Sequence, residues 1–479
     1  MEYVVNNRTP ISLFRFFEEI SAIPRGSFNE QAIADHLVAF ANARGLECYR
    51  DEANNVLIKA PASLGMESRP PLLLQGHTDM VCEKDSESDH DFLTDPLKLY
   101  LDGKFLRARG TTLGADDGVA VAAMMALLDG AIGMHPAYEC LFTTAEEVGL
   151  EGAYAFDYER ITARRMINMD SEALGVVTAG CAGGVRSDLT LFFSPTDCDR
   201  SCVRVELRGL MGGHSGEDIN KGRANANVLM GRILRTLSEE QAIRLVRING
   251  GSKDNAIPRA CEAILAVADV DLAIDRITEL AAAEAETLSL EDRGFQVLCE
   301  SSEPECCMMT GEDTDRVIRL LNGVPNGVLQ MSRSVEDLVE FSRNMGVVRC
   351  EEGCLTVTFS SRSAIEAQID ASVEELTRLA ECTGCEIRHR GRYPGWEYAE
   401  VSALRNAYLQ AFEEVTGKKA TVNVIHAGLE CGVICSRIRE MDIISVGPTM
   451  QDIHSPSEAL DLDSTETFWR VLETLIPRL

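Results

Sequence analysis

Five short stretches place acids or histidines where apolar runs stop. His77 and Asp79 end LLLQGHTDMVCE (72–83). Asp116 and Asp117 lie between Gly114 and Gly118. Glu146 and Glu147 follow CLFTTA, Asp170 lies in NMDSE, and His454 lies in QDIHSPSE. Each alone is ordinary, because a single acid or histidine at a strand end is commonly a cap or a solvated group. Together, two imidazoles and several carboxylates can converge on one point. A nitrogen and oxygen donor set without thiolate suits Zn, Mn or Co better than Ca or a structural zinc. Two ions roughly 3.5–4 Å apart would each take one imidazole and one terminal carboxylate, and would share a bridging carboxylate. Adjacent glutamates make sense there, since one can ligate while the other takes a proton from water. The His77-x-Asp79 spacing puts both side chains on one side of an extended segment, as a ligand and the carboxylate that orients it.

Such residues need elements that end together. NVLIKA, PLLLQG, ECLFTTA and RRMINM read as short apolar strands. DGVAVAAMMALLDG is a nearly all-apolar, buried helix, and ISLFRFFEEI and QAIADHLVAFANA have helical periodicity. Strands alternating with helices predict an α/β domain with a mixed, mostly parallel sheet flanked by helices, with its site at strand ends. After about residue 185 the style changes to alternating segments such as SCVRVELRG and GCLTVTFSS. These predict a separate α+β layer with one face open to water. From 392 the earlier style returns. The expected organisation is a split inner domain, 1–185 and 392–479, which would carry the site, with an outer domain inserted at 186–391.

The totals narrow the function classes. A chain of 479 residues exceeds one ordinary core. A formal net charge of −30 disfavours nucleic acid and anionic membranes as partners. No apolar run reaches the roughly 18 residues that span a bilayer. MEYVVNNRTP lacks the pattern of a secretory signal, and the 16 scattered cysteines read as reduced thiols. The expectation is a cytoplasmic chain. Cys382 and Cys385 form a CxxC that stands alone, with no second pair at zinc-finger spacing.

HTDMV, GADDGVA, TAEEVGLEG, NMDSE and IHSPSE, in this order, resemble the co-catalytic dizinc peptidase family that includes carboxypeptidase G, acetylornithine deacetylase, peptidase T and the carnosinases. PRGSFNE, GTTLGADDG, GGHSGEDI and HAGLECG resemble its aminoacyl-histidine dipeptidase subgroup. The resemblance covers essentially the whole chain. It implies two Zn ions per chain, with Mn or Co as alternatives. His77 and Asp170 would hold one ion, Glu147 and His454 the other, and Asp116 both. The peptide bond after the bridging Asp116 is often cis in the family. Glu146 would be the general base and Asp79 the carboxylate that orients His77.

The insert carries the remaining candidates. His214 in GGHSG reads from the residues as an incidental histidine in a glycine turn; the resemblance makes it a donor to the developing oxyanion. Arg362 in FSSRS reads equally as a surface residue, and by resemblance as a fork on the substrate's C-terminal carboxylate. Asn255 in KDNAIP is a similar candidate. Gly428 and Glu430 in HAGLECG would line the pocket of the catalytic domain, His426 could equally be a packed imidazole, and Glu172 would face the substrate amine. The lid would close so that His214 and Arg362 reach the site, which favours dipeptides, including aminoacyl-histidine, over long peptides. An N-acyl amino acid deacylase or a tripeptidase with the same metals is the alternative. A non-enzymatic binding protein on this scaffold is disfavoured, because Glu146 and all five ligand positions are present. This lid is longer than in the simplest members, and its extra half can shape the site or mediate pairing of two copies. His214 would then serve its own subunit or a neighbour's.

Overall fold

Residues 119–128 carry no charged side chain, and a helix that is apolar on every side can only be buried. The computed structural model, which describes residues 3–303, 305–333, 335 and 337–479, places the helix Ala115–Leu128 in the interior along its whole length. It packs on the helix Ile11–Ser21 and on the strand Leu72–His77. The chain divides into two units: Met1–Gly180 with Tyr398–Val424 and Leu429–Leu479, and Cys181–Glu397 with Ile425–Gly428. Residues 181–185 and 392–397, expected in the catalytic segments, belong to the second unit. The reason is strand pairing: Gly183–Phe192 and Glu386–Tyr393 run antiparallel to each other, which draws both junctions in with them.

The first unit is built on a mixed sheet in the order Glu47–Arg50, Val56–Ala60, Tyr138–Thr143, Leu72–His77, Arg165–Asn168, Asp442–Ser445, Val176–Cys181 and Thr421–Ile425. Its four central strands, from Tyr138–Thr143 to Asp442–Ser445, are parallel. Strands buried on both faces read as continuous apolar runs, and Leu72–His77 and Tyr138–Thr143 are buried at every position. A small sheet formed by Met450–Gln451, Ala459–Asp461, Phe105–Ala108 and Leu99–Asp102 holds the loop that carries His454.

Among the described residues, the second unit is built on a nine-stranded sheet whose neighbouring strands pair antiparallel. Ser201–Arg208 and Cys354–Ser363 lie within it. Ala226–Glu240, Val270–Glu286, Gly311–Asn322 and Glu366–Thr383 share one apolar core with the sheet. This is the expected α+β layer. All 16 cysteines are free thiols.

Candidate active site

The strand Leu72–His77 ends in a fully buried imidazole. His77 Nε2 lies 3.1 Å from Asp116 Oδ1 and 3.9 Å from Asp170 Oδ1. His454 Nε2 lies 3.2 Å from Asp116 Oδ2 and 3.1 Å from Glu147 Oε1. Each carboxylate oxygen of Asp116 therefore faces a different histidine. Ligands about 2.1 Å from a tetrahedral zinc stand about 3.4 Å from one another, and these donors stand at similar separations. The donors are imidazole nitrogens and carboxylate oxygens without thiolate. The sets His77–Asp116–Asp170 and Asp116–Glu147–His454 thus fit two divalent ions that share one carboxylate.

Asp116 owes its place to a turn at the start of the buried helix. Gly114 takes φ 64°, Asp116 and Asp117 depart from helical angles, and the peptide bond between them is cis, as the resemblance implied. The Glu458 carboxylate accepts from the backbone N–H groups of Leu113, Gly114, Ala115 and Asp116 at 2.7–3.4 Å. The buried Arg25 guanidinium donates to the carbonyls of Thr78, Asp79 and Gly114, and so ties this turn to the His77–Asp79 segment. Gly76 permits the close approach, because a Cβ there would come within 2.5 Å of Asp117 Oδ2 and 2.6 Å of Ala120 Cβ. Sequence reasoning missed Arg25 and Glu458. Both sit inside quoted motifs, PRGSFNE and IHSPSE, but a charge beside apolar residues does not announce which backbone it will bind.

Asp79 holds two parts of the site at once. Its Oδ1 lies 3.4 Å from His77 Nδ1, whose nearer neighbour is the Asp79 carbonyl at 3.1 Å. The same carboxylate accepts from Ser27 Oγ and from the backbone N–H groups of Glu146 and Glu147. Glu30 accepts from Ala145 N–H at 3.1 Å. Ala145 and His454 both have positive φ, 50° and 59°. That conformation costs free energy in non-glycine residues, and such strain clusters at functional sites.

The electrostatics follow from acid crowding. Burial pushes Glu146 up to about 8; His77 opposes this, and the carboxylates of Glu430, Glu147 and Asp116 add to it. Burial alone would lower His77, but Asp116 and Asp79 override it and raise the imidazole well above its usual range. His454 is raised to about 10 by Asp116 and Glu147. Asp116 is lowered by the two histidines against the effect of burial.

The remaining candidates fall elsewhere. His214 and Asn255 are neighbours in the second unit: His214 pairs with Ala256, and Ser215 N–H donates to the Asn255 carbonyl. Arg362 is buried, donates to Tyr393 Oη at 2.9 Å, and pairs with Ser342, whose Oγ lies 2.7 Å from His426 Nε2. Gly428, expected in the catalytic domain, belongs to the second unit, where a Cβ would come within 2.9 Å of the Tyr393 ring. Glu430 is in the first unit and wholly buried. Glu172 is exposed, and its carbonyl accepts from Met450 N–H. Cys382 is exposed, and Cys385 receives the Thr383 hydroxyl.

The candidate ligand groups, which also include His77, Glu146 and Glu147, fit a metal-dependent hydrolase. The chain belongs to the peptidase family M20/M25/M40, whose model matches residues 73–478. It is 36% identical over 475 residues to the cytosol non-specific dipeptidase of Escherichia coli (strain K12), covering 98% of each chain. The aminoacylhistidine dipeptidase of Vibrio alginolyticus superposes with a TM-score of 0.95 at 36% identity, over 99% of this chain and 97% of that one. The aminopeptidase PepT of Bacillus cereus shares the fold, with a TM-score of 0.57 at 15% identity over 98% of each chain. The family expected from the motifs is the family found. No helix among the described residues is long and apolar enough to cross a membrane.

Proposed function

We propose that the protein is a cytoplasmic dizinc dipeptidase that hydrolyses dipeptides with a free C-terminal carboxylate, Xaa-His dipeptides among them. The observation that carries this reading is Asp116, with one oxygen on His77 and the other on His454. His77 and Asp170 would hold one ion, Glu147 and His454 the other, and Asp116 both; zinc suits these donors, and Mn or Co would serve. Two such ions would supply Lewis acidity for the scissile carbonyl and would acidify the attacking water. Asp79 keeps the His77 ring in place through Nδ1, leaving Nε2 free to ligate. Glu146 takes the water's proton on its carboxylate and delivers it to the leaving amine nitrogen. His214 donates to the oxyanion and Arg362 to the substrate carboxylate, with Asn255 and Gly428 lining the same surface of the second unit.

The similarity to two dipeptidases supports the substrate class, and the cytosolic relative supports the location. Pairing of two copies through the second unit belongs to the same reading, and sedimentation would detect it. The deciding experiment measures metal content and dipeptide hydrolysis on one sample, before and after chelation. The expected result is about two zinc per chain, with Ala-His and Ala-Leu cleavage lost on chelation and restored by metal. Two metals with release of acetate from N-acetyl amino acids, or cleavage of tripeptides alone, would move the substrate class. No metal and no activity after metal is supplied would defeat the reading.

A further inference from the structure

Directly beneath the ligand-bearing strand ends runs a line of buried amide and acid groups that the proposed chemistry does not use. Gln75, Thr143 and Asn168 lie on three adjacent parallel strands, where Gln75 pairs with Asn168 and His77 with Thr143. All three are fully buried, as is Glu430. Gln75 Nε2 donates to Glu430 Oε2 at 2.6 Å and to Thr143 Oγ1 at 3.1 Å. The Thr143 hydroxyl in turn donates to Glu430 Oε2 at 2.8 Å. Gln75 Oε1 accepts from Asn168 Nδ2 at 2.7 Å, and Asn168 Oδ1 accepts from the backbone N–H of Asp170 at 3.4 Å.

The donors and acceptors form one consistent chain. A glutamine amide has two N–H donors and one acceptor oxygen, and all are used here. Gln75 is therefore held in a single orientation, and so is Asn168, whose oxygen caps the turn that launches Asp170. An acceptor oxygen at the far end orders the chain. Glu430 supplies it, at the first position of the helix Glu430–Arg437, where a carboxylate is favoured by the helix N-terminus. Burying a carboxylate this deeply is costly without a task.

We propose that Glu430 is a positioning residue that acts through Gln75 and Asn168 on Asp170, rather than a contact for substrate. This rests on the reading of Asp170 as a metal ligand. Partners behind a ligand set its orientation, and removing one commonly weakens metal affinity about 10- to 100-fold.

The test compares Glu430→Ala, Glu430→Gln, Asn168→Ala and Asp170→Ala by chelator competition for zinc, together with KM and kcat for Ala-His and a thermal melt. Glu430→Ala and Asn168→Ala should each release one of two zinc ions at about 10- to 100-fold lower chelator strength, with KM within about twofold. Their double variant should lose no more than either alone, because both cut one chain. Glu430→Gln, which keeps an acceptor oxygen, should hold zinc more tightly than Glu430→Ala. Asn168→Ala keeps the proposal testable if Glu430→Ala does not fold. Unchanged zinc affinity in folded Glu430→Ala and Glu430→Gln, or an effect of Asn168→Ala alone, would overturn it. So would a tenfold rise in KM with both metals retained. If Asp170→Ala itself keeps two zinc ions at full affinity, the ligand assignment fails first, and the result separates the two claims.

Discussion

The same side chain behaves in opposite ways in the two units. In the first, His77 and His454 face carboxylates, and their pKa values rise, His454 to about 10. In the second, burial lowers His214 and takes His426 down to about 3, and both face the Arg362 guanidinium. One region is a concentration of negative charge that a pair of cations would neutralise. The other sets the Arg362 guanidinium beside two histidines that burial keeps neutral, with Glu217 and Asp218 near His214. Crowded like charges are costly in a low-dielectric interior unless a partner compensates them. The proposed metal ions suit the first region, and the proposed contact of Arg362 with a substrate carboxylate suits the second.

The sharpest way to break this contrast is at the acid end. Glu146→Gln should lower kcat by about a thousandfold, within the range for loss of a general base, with metal content unchanged. Steady-state kinetics with elemental analysis would show it, and full turnover with metal bound would remove Glu146 from the mechanism. Next in size is the frame beneath Asp116. Glu458→Ala would leave four backbone N–H groups without their acceptor. The expected loss is about 3 kcal/mol or more, read as a lower denaturant midpoint of metal-free protein. A midpoint equal to wild type would show that other acceptors replace it.

At the basic end, Arg362→Ala should reduce kcat/KM for dipeptides by about 10- to 100-fold, as for loss of a charged hydrogen bond. It should have little further effect on dipeptide amides, which lack the carboxylate. An equal loss on both substrates would mean that Arg362 serves packing alone. Per pH unit, the smallest effect concerns His426. Its folded pKa of about 3 lies below the ordinary 6.5, so between these values the unfolded chain binds a proton that the folded chain does not. Stability should fall as pH falls from 6.5 towards 3, by at most about 1.4 kcal/mol per pH unit. His426→Asn should flatten that part of the profile, and an unchanged slope would assign it to other groups.

Much of the first unit was legible because its signals are local. An apolar strand that stops at His77, a helix without an outward polar face, and acids beside glycine or serine each declare themselves within about ten residues. The five motifs and their order were enough for the family. What the sequence by itself determined was the set of chemical groups, their strand-end placement and the α/β and α+β character of the two segments. Tertiary structure decided which groups meet. Asp116 and His454 are far apart in the chain, and only the turn held by Glu458 and Arg25 brings each Asp116 oxygen to its own histidine. It also decided that Gly428 and Glu430, two positions apart, belong to different units, and that Glu430 ends a hydrogen-bonded chain under the sheet. Periodicity reports which way a side chain faces. Its partner depends on how distant strands pair, and pairing across hundreds of residues leaves no mark in any short window of sequence.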